Sequence, residues 1–447
     1  MVVVLHGLAS ATGAQPARVD ETVEKEPPSA VQPLAELSPL PQTSVPSVRA
    51  YPLELLGLLG AAPEPGPTTL IPSIGLYEEY TDNLFLDNQQ KQWDLITGFS
   101  PTVTLFVERP LYRLTAGYSF AGELYARETR FNNAVNRQNL IASGSYQLSP
   151  LVTLTAFDSF ALNRNTNLTA SQGFSTGRQE SWNNTAGAGV TWQLTRSVSL
   201  NVAATYDVLR FPTTGTDTTG TTSTPGTTST PGADSDTYRL QTTVSDTLTR
   251  RLTATAGYGF AYFDFLGQSD NSTTHTPAVG GSYEFTRDLT AFVTAGPSVT
   301  LLGGQTFIRP AVRARLVQTW PIGSLSVQYA RAVDVAGGFG GPTETDTFSA
   351  TLVLPAWQRG LVLALSPAFA MAKSVSDQQT GSASTLDLKA FTLPIGVTYR
   401  VNRYTSFFAG YTFFHQRAGS GSTSGQPDVD ENRVRFGLQF GYPLRFH

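Results

Sequence analysis

Residues 433–446 read RVRFGLQFGYPLRF, and polar and apolar side chains alternate along the whole segment. Val434, Phe436, Leu438 and Phe440 fall on one parity, whereas arginine, glycine and glutamine fill the other. Because successive side chains of a β-strand point to opposite faces, the segment predicts a strand with one apolar and one polar face. The apolar parity continues to the end of the segment, which is longer than the strands of a small core.

The same period of two recurs in almost every segment between residue 71 and the C-terminus. Aromatic residues tend to lie toward the ends of the apolar sets, as they do in the interfacial girdles of membrane barrels. The apolar sets exceed what a small core needs, so we expect one face of each strand to contact lipid. The clearest further examples are residues 114–124, 198–207, 252–262 and 391–400.

The composition of the 447-residue chain supports the same interpretation. Charged residues make up 14% of the chain, where about 25% is usual in soluble domains. No stretch approaches the roughly 18–20 apolar residues of a membrane-spanning helix. The absence of cysteine and the presence of only four histidines argue against a zinc or thiolate centre, and the net charge of -4 argues against a nucleic-acid partner. We therefore predict a transmembrane β-barrel that has no cofactor and no metal.

Connections of two lengths separate the predicted strands. Tight turns and long polar loops alternate, as they do at the two rims of an outer-membrane barrel. Counting the segments between these turns and loops predicts about 18 strands, and 16 strands is the alternative. Tight turns lie near residues 109, 149, 196, 250, 287, 322, 359 and 402. Long loops lie near residues 81–92, 127–136, 163–177, 211–236, 264–275, 302–306, 336–343, 373–383 and 417–429.

The predicted fold is all-β, a transmembrane antiparallel up-and-down β-barrel. Because the strand number is even, both termini are expected in the periplasm and the long loops outside the bacterial cell. At a strand spacing of about 4.8 Å and a tilt of about 40°, roughly 18 strands give a backbone radius of about 18 Å. Side chains cannot fill such a lumen, so it holds water unless a loop or the N-terminal segment plugs it.

The first 70 residues lack the alternation. Residues 1–17 combine a short apolar run with small residues, which suits a partial signal peptide, and a disordered tail is the alternative. Residues 18–70 are rich in proline, which predicts an extended periplasmic linker. Within this linker, residues 51–60 (YPLELLGLLG) form an apolar island that is long enough for a short docked helix. The barrel is then expected over residues 71–447.

Charged residues on the polar parity are expected to line the lumen. Two arrangements are open: acidic residues on one wall and arginines on the other, or ion pairs that stiffen the wall. A basic wall would favour anionic solutes, including uronic-acid polymers. The expected basic residues are Arg309, Arg313, Arg315, Arg433 and Arg435, and the expected acidic residues are Asp94, Glu108, Glu123, Asp207 and Glu284.

Aromatic residues on the polar parity have two interpretations. They form a track on which sugars stack, or they pack against a loop that folds into the lumen. These residues are Tyr77, Tyr125, Phe263, Phe408 and Phe414. No catalytic site is predicted, because nothing in the sequence provides His275 or His415 with a nucleophile and an oxyanion hole.

The C-terminal residues resemble the signal that the barrel-insertion machinery reads in outer-membrane proteins. In that pattern a polar residue, a glycine and an apolar residue precede a terminal aromatic, and Gln439, Gly441, Leu444 and Phe446 occupy these places. His447 departs from the pattern, because the aromatic residue usually comes last. The resemblance implies the insertion machinery, outer-membrane lipid and lipopolysaccharide as partners.

The first predicted hairpin resembles the opening of a porin-like outer-membrane β-barrel family that is encoded with capsule and exopolysaccharide export systems. Residues 80–85 read YTDNLF, in which Tyr80, Asp82 and Asn83 match the opening turn of the family. Asp94 matches an aspartate near the start of the next strand. The resemblance covers the first strands well and the rest only through architecture. It implies an outer-membrane conduit that works with a short periplasmic polysaccharide export protein.

Three functions remain as hypotheses at this point. The first is a passive outer-membrane conduit for exported polysaccharide, driven by periplasmic partners that the long N-terminal arm would suit. The second is a general diffusion porin for small solutes. The third is a structural or adhesive barrel with a closed lumen. None of the three is an enzyme.

Overall fold

A computed structural model describes residues 68–163, 167–169, 174–178, 180–212, 233–266, 270–335, 340–355, 360–375, 386–419 and 428–446. The signal segment, the apolar island and the proline-rich linker up to residue 67 lie outside the described residues. A 3-10 helix spans Thr129–Phe131. The strands are β1 (Thr68–Thr81), β2 (Asp94–Glu108), β3 (Tyr112–Tyr125), β4 (Asn133–Ser149), β5 (Val152–Asn163), β6 (Asn167–Thr169), β7 (Ser175–Arg178), β8 (Ser181–Gln193), β9 (Val198–Arg210), β10 (Ser235–Thr247), β11 (Leu252–Asp264), β12 (Ser272–Glu284), β13 (Leu289–Leu302), β14 (Gln305–Trp320), β15 (Gly323–Val335), β16 (Pro342–Pro355), β17 (Leu361–Leu365), β18 (Ala368–Ser374), β19 (Asp387–Arg400), β20 (Thr405–Ala418), β21 (Val429–Gly441) and β22 (Leu444–Phe446).

The strands form one closed antiparallel barrel. Each strand of the wall pairs with its neighbour in the chain, and β1 pairs with β21 and β22 to close the ring. The 20 segments of this sheet occupy 18 positions, because β17 and β18 share one position and β21 and β22 share another. β6 and β7 form a separate small hairpin between β5 and β8. The prediction of an antiparallel barrel with about 18 strands is therefore confirmed, and the 16-strand alternative is wrong.

Tight turns occupy one rim of the barrel, at seven of the eight places that the sequence predicts, and the eighth, near residue 359, lies outside the described residues. The opposite rim carries the longer connections, with one exception. The predicted long loop at residues 302–306 is a two-residue turn, because β13 ends at Leu302 and β14 begins at Gln305. Gly303 and Gly304 have φ angles of 55° and 76°, the left-handed values that a tight hairpin turn needs and that glycine adopts without strain.

The wall has an apolar outer face and a polar inner face. In the β1–β21 register, Tyr80 pairs with Val434 on the exposed outer side, and Glu79 pairs with Arg435 on the lumen side. An apolar exterior of this extent is unfavourable in water and fits the hydrocarbon layer of a membrane. Among the described residues, no helix is long and apolar enough to cross a membrane. Exposed apolar side chains recur around the wall, including Leu114, Leu140, Val190, Leu240, Val279, Val293, Ile308, Phe348 and Phe407.

The barrel closes where β1 meets β21. At the rim with the longer connections, side-chain hydrogen bonds fasten this seam. The carboxylate of Asp82 accepts two hydrogen bonds from Asn432, one from the backbone N–H and one from the side-chain amide, each at 2.7 Å. The amide of Asn83 donates to the backbone carbonyl of Asp430 at 2.9 Å. The loop after β1 is therefore fixed to the start of the last long strand.

The other residues of the two sequence resemblances lie on the same seam. Tyr80 points outward from β1, and Gln439 and Gly441 lie on the lumen side of β21. Leu444 and Phe446 belong to β22, which pairs with the first residues of β1. The first and last strands among the described residues are thus paired with each other at the rim that carries the tight turns.

Removing the Asp82 carboxylate tests the seam. Asp82→Ala leaves two donors of Asn432 without their charged acceptor and is expected to cost about 2 kcal/mol of stability. The readout is the temperature at which the folded band on a gel converts to the unfolded band. Asp288→Ala, at an exposed position in a tight turn, is the control and should leave this temperature unchanged. Equal conversion temperatures for both variants would contradict the role of the seam contacts.

Candidate functional site

A fully buried carboxylate, Glu123, lies on the lumen side of β3. Tyr77 donates a hydrogen bond to it at 3.1 Å and Tyr125 at 2.7 Å, and Arg137 forms an ion pair with it. Gly98 lies opposite Glu123 in the β2–β3 register, and its missing side chain leaves room for the ring of Tyr77. A buried charge is tolerated when it is paired and hydrogen-bonded in this way. Glu123 therefore stabilises the wall.

Arg433 and Arg435 lie on the lumen side of β21, and both are ion-paired. Arg435 Nε donates to Glu79 Oε2 at 2.6 Å, and Arg433 Nε lies 3.5 Å from Glu79 Oε1. Arg433 Nη2 also donates to both carboxylate oxygens of Glu431, at 2.9 and 3.0 Å. Two carboxylates thus offset two guanidinium groups, and this part of the wall is not basic.

A contact across the lumen joins two distant strands. Arg239 of β10 forms an ion pair with Asp207 of β9, and its Nη2 donates to Asp334 Oδ1 of β15 at 2.7 Å. β10 and β15 are five positions apart in the wall. β15 pairs with β14 only as far as Arg331, so the rest of β15, toward the rim with the longer connections, can leave the wall. The end of the β15–β16 hairpin at that rim therefore bends into the lumen, and the Asp334 side chain there is only 2% exposed.

The expected separation of acidic and basic walls is wrong. Glu108 of β2 forms an ion pair with Arg113 of β3 at 3.0 Å, and Glu123 and Asp207 have the arginine partners described above. Register is the physical reason, because neighbouring antiparallel strands place these opposite charges side by side. The alternative, in which lumen charges pair and stiffen the wall, applies to these residues.

Two of the predicted acidic residues have different surroundings. Asp94 is fully buried, and its carboxylate accepts hydrogen bonds from the backbone N–H groups of Leu95, Arg127 and Glu128 at 2.8, 3.0 and 3.0 Å. Asp94 therefore fixes the loop after β3, and it does not line an open lumen. Glu284 lies on the lumen parity at the turn end of β12 and is partly buried.

The three arginines of β14 lie on its lumen face, where the β13–β14 register pairs them with inward residues of β13. Arg309 Nε lies 3.5 Å from Glu344 Oε2, and Arg315 Nε donates to the hydroxyl of Ser326 at 3.2 Å. Among the described residues, neither Arg313 nor Arg315 has a carboxylate partner. Two positive charges therefore remain without a counter-charge near the middle of the barrel wall.

A second segment crosses the lumen from the connection between β5 and β8. Ser175 N–H donates to Gln416 Oε1 at 2.8 Å, and Gln416 Nε2 donates back to the carbonyl of Ser175 at 3.0 Å. Phe174 is 0% exposed and packs in a cluster with Leu388 and Phe414. β5 and β20 are six positions apart in the wall. The Phe174–Ser175 tip is therefore docked on a distant part of the lumen wall.

Further apolar contacts fill the same half of the barrel. Leu84, in the loop after β1, packs with Ile96 and Tyr125 on the lumen face. Val335, at the bent end of β15, packs with Phe263 of β11. These segments come from the rim with the longer connections, so they narrow the lumen at that end.

The inward segments decide between the two interpretations of the lumen aromatics. Tyr125, Phe263 and Phe414 are covered by the segments just described. Tyr77 is covered by the guanidinium of Arg435, which lies 4.3 Å from its ring centroid. Tyr125, Phe263 and Phe414 therefore pack against inward-folded segments, whereas Tyr77 is covered from the wall and Phe408 lies against Gly437 of β21.

Sequence reasoning missed Phe174, Gln416 and Asp334. Phe174 is the one aromatic residue in the polar stretch 170–177 (ASQGFSTG), and this isolation was an available signal. Asp334 lies on the lumen parity of its segment, but its partner on β10 is far away in sequence. Parity predicts the face on which a residue lies and carries no information on contacts across the lumen.

The two histidines among the described residues lie on the outer face of the barrel. His275 is on the outer face of β12, where its Nδ1 is 2.6 Å from the hydroxyl of Tyr258. His415, on the outer face of β20, makes a hydrogen bond through its Nδ1 with the carboxylate of Asp430. Within the ranges that the structure describes, no three histidine, aspartate or glutamate side chains converge in a way that could hold a metal ion.

Comparison with known proteins gives similarity to solved structures alone. No family model and no curated protein matches the sequence. OpdL of Pseudomonas aeruginosa is 10% identical, with 85% of this chain and 99% of that chain covered and a TM-score of 0.43. OccAB4 of Acinetobacter baumannii is 9% identical over 85% and 99% of the two chains, with a TM-score of 0.43. The outer membrane protein opdK of Pseudomonas aeruginosa is 9% identical over 84% and 99%, with a TM-score of 0.40. The assignment as a porin-like barrel rests on the strand topology described above.

Docking of the Phe174–Ser175 tip can be tested by thiol labelling, because the chain has no cysteine of its own. Ala372, in the cluster that covers Phe174, is 0% exposed, so Ala372→Cys should react slowly with a water-soluble maleimide. Adding Phe174→Ala removes the covering side chain and is expected to speed the reaction about tenfold or more. Thr294→Cys, on the lumen face of β13, is the control and should react at the same rate in both backgrounds. Slow labelling of Ala372→Cys in both backgrounds would show that the tip does not cover this wall.

Proposed function

We propose that this chain is a passive channel of the bacterial outer membrane that admits small anionic solutes. The observation that carries the proposal is the pair Arg313 and Arg315, which face the lumen and have no carboxylate partner among the described residues. The lumen arginines with ion-pair partners, such as Arg137, Arg239 and Arg433, have their charge offset by carboxylates.

The apolar outer face supports the membrane location. A strand of 14 residues such as β1, tilted by about 40°, rises roughly 35 Å, which exceeds an apolar band of about 25 Å. The tight turns, Thr68 and Phe446 lie at one rim, which we assign to the periplasm, and we assign the longer loops to the cell exterior. In this assignment Gln439, Gly441, Leu444 and Phe446 are the signal for the insertion machinery.

Electrostatics supports preference for anions. A guanidinium group in a narrow lumen with low-dielectric walls attracts anions and repels cations over a distance of several ångströms. The described wall next to Arg313 and Arg315 carries no carboxylate, and it includes the hydroxyl groups of Thr294 and Ser326 on the adjacent strands. An anion that enters this region meets hydroxyl groups and positive charge without a competing carboxylate from the same wall.

The segments that fold into the lumen favour small solutes over polymers as the molecules that pass through it. Phe174–Ser175 is docked against Gln416, and Asp334 is bound to Arg239, so two cross-lumen contacts narrow the exterior half of the barrel. A small anion needs only the space that these contacts leave. A polysaccharide chain needs both contacts to break, and each combines hydrogen bonds with buried apolar packing.

Export of capsular or extracellular polysaccharide with a periplasmic export protein is the second candidate. The match of Tyr80, Asp82 and Asn83 to the opening turn of an export-associated family supports it. A deletion strain separates the two candidates. Unchanged surface polysaccharide with slower uptake of a small anion supports the channel, and loss of surface polysaccharide with unchanged uptake supports export.

Neutralising the arginines of β14 tests the anion preference. In planar bilayers with a salt gradient, the intact chain is expected to give a reversal potential of the sign for anion flow. Changing Arg309, Arg313 and Arg315 together to Gln is expected to lower the anion-to-cation permeability ratio by about twofold or more.

The matched control removes the same charge from the rim. Arg250, Arg251 and Arg287 are exposed in tight turns, and their joint change to Gln should alter the reversal potential much less. An unchanged reversal potential in the β14 variant would reject the arginines as the source of selectivity.

A further inference from the structure

The outer face of β4, β5 and β8 carries a polar pair in apolar surroundings. Asp158 lies on the outer side of β5, between Ala142 of β4 and Ala186 of β8 in the register. Asn184 of β8 lies beside it, and its amide donates a hydrogen bond to Asp158 Oδ2 at 3.1 Å. A carboxyl group and an amide thus face the layer that most of the exterior meets with apolar side chains.

Asp158 lies near the middle of the apolar layer, where an ionisable side chain costs the most free energy. It is the seventh residue of β5, which begins at Val152 on the rim with the tight turns. With a rise of about 3.3 Å per residue and a tilt of about 40°, it is about 15 Å from that rim, near the middle of an apolar band about 25 Å tall. Among the described residues, Asn184 is the one hydrogen-bond partner of its side chain. Hydrocarbon provides no further partner, so an ionisable group at this depth requires an explanation.

The outward residues on the tight-turn side of the polar pair are small, whereas Phe160 and Leu140 lie on its other side. Gly144, Ala156 and Ala188 form the adjacent row across β4, β5 and β8. The bulky and exposed Tyr146 and Trp192 lie nearer the tight turns. The wall is therefore low on the tight-turn side of the polar pair, and a second surface can approach it closely from that side.

We infer that a second copy of this chain packs against this face within the membrane. Asp158 is an acceptor and Asn184 a donor, and they lie side by side. A twofold axis next to them places the carboxylate of each copy against the amide of the other, and this makes two reciprocal hydrogen bonds. Lipid tails offer neither a donor nor an acceptor, and an unrelated protein would need both at matching positions. The inference rests on the proposed membrane location and does not depend on what passes through the lumen.

Cross-linking in intact membranes tests the proximity of two copies. Ala186→Cys introduces one thiol at the proposed interface, and Ala256→Cys introduces one on the outer side of β11. With a short thiol-specific cross-linker, cells that express the full chain are expected to yield a dimer for Ala186→Cys and a monomer for Ala256→Cys. Equal cross-linking at both positions, or none at Ala186→Cys, overturns the inference.

Sedimentation of the purified full chain in detergent tests the polar pair itself. Asp158→Leu removes both reciprocal hydrogen bonds and is expected to weaken self-association about tenfold, with the folded gel band and the conductance unchanged. Asp158→Asn keeps a side chain that donates and accepts, and it should remain a dimer. A wild-type chain that conducts but sediments as a monomer overturns this inference alone, and so does an Asp158→Leu variant that dimerises like the wild type. A folded dimer that gives no conductance overturns the proposed channel and leaves the interface standing.

Discussion

Hydrogen bonding of the backbone is the constraint on which the structure depends. In hydrocarbon no water is available, so each N–H and C=O group of a spanning strand must find its partner in the protein. The wall meets this requirement by pairing every strand with two neighbours and by joining β1 to β21. The hydrogen bonds of Asp82 and Asn83 to the last long strand fasten the β1–β21 seam at the rim with the longer connections. The alternation of apolar and polar residues follows, because each strand then has one face toward lipid and one toward the lumen.

The width of the closed ring creates a second requirement. About 18 strands enclose more space than inward side chains can fill. The chain uses its connections on one rim to occupy part of that space, through the Phe174–Ser175 tip and the bent end of the β15–β16 hairpin. Ion pairs such as Glu123–Arg137 hold the wall beneath these segments. Among the described residues, the same arrangement leaves Arg313 and Arg315 without a counter-charge, so the ion pairs that stabilise the wall and the proposed source of selectivity are different lumen residues.

The sequence predicted the fold well, because the period of two and the alternation of turn lengths are local properties of the chain. It also predicted the lumen face for the arginines of β14 and β21. It did not predict that Arg433 is offset by Glu79 and Glu431, since Glu79 is distant in sequence and is brought near by the closure of the barrel. The turn at Gly303–Gly304 was predicted to be a longer loop, because the polar residues Gln305 and Thr306 that follow it belong to β14. Contacts across the lumen, such as Asp334 with Arg239, depend on the path of a bent hairpin that no local pattern encodes.

The most direct measurement is the single-channel conductance of the intact chain in a planar bilayer, compared with that of Asp334→Ala. The intact chain is expected to conduct in small, anion-preferring steps. Asp334→Ala releases the cross-lumen contact with Arg239 and should raise the conductance, whereas Asp346→Ala, on the outer face of the same hairpin, should not. A folded chain that inserts without conducting, or an Asp334→Ala variant with the conductance of the wild type, would contradict a channel that is narrowed from within.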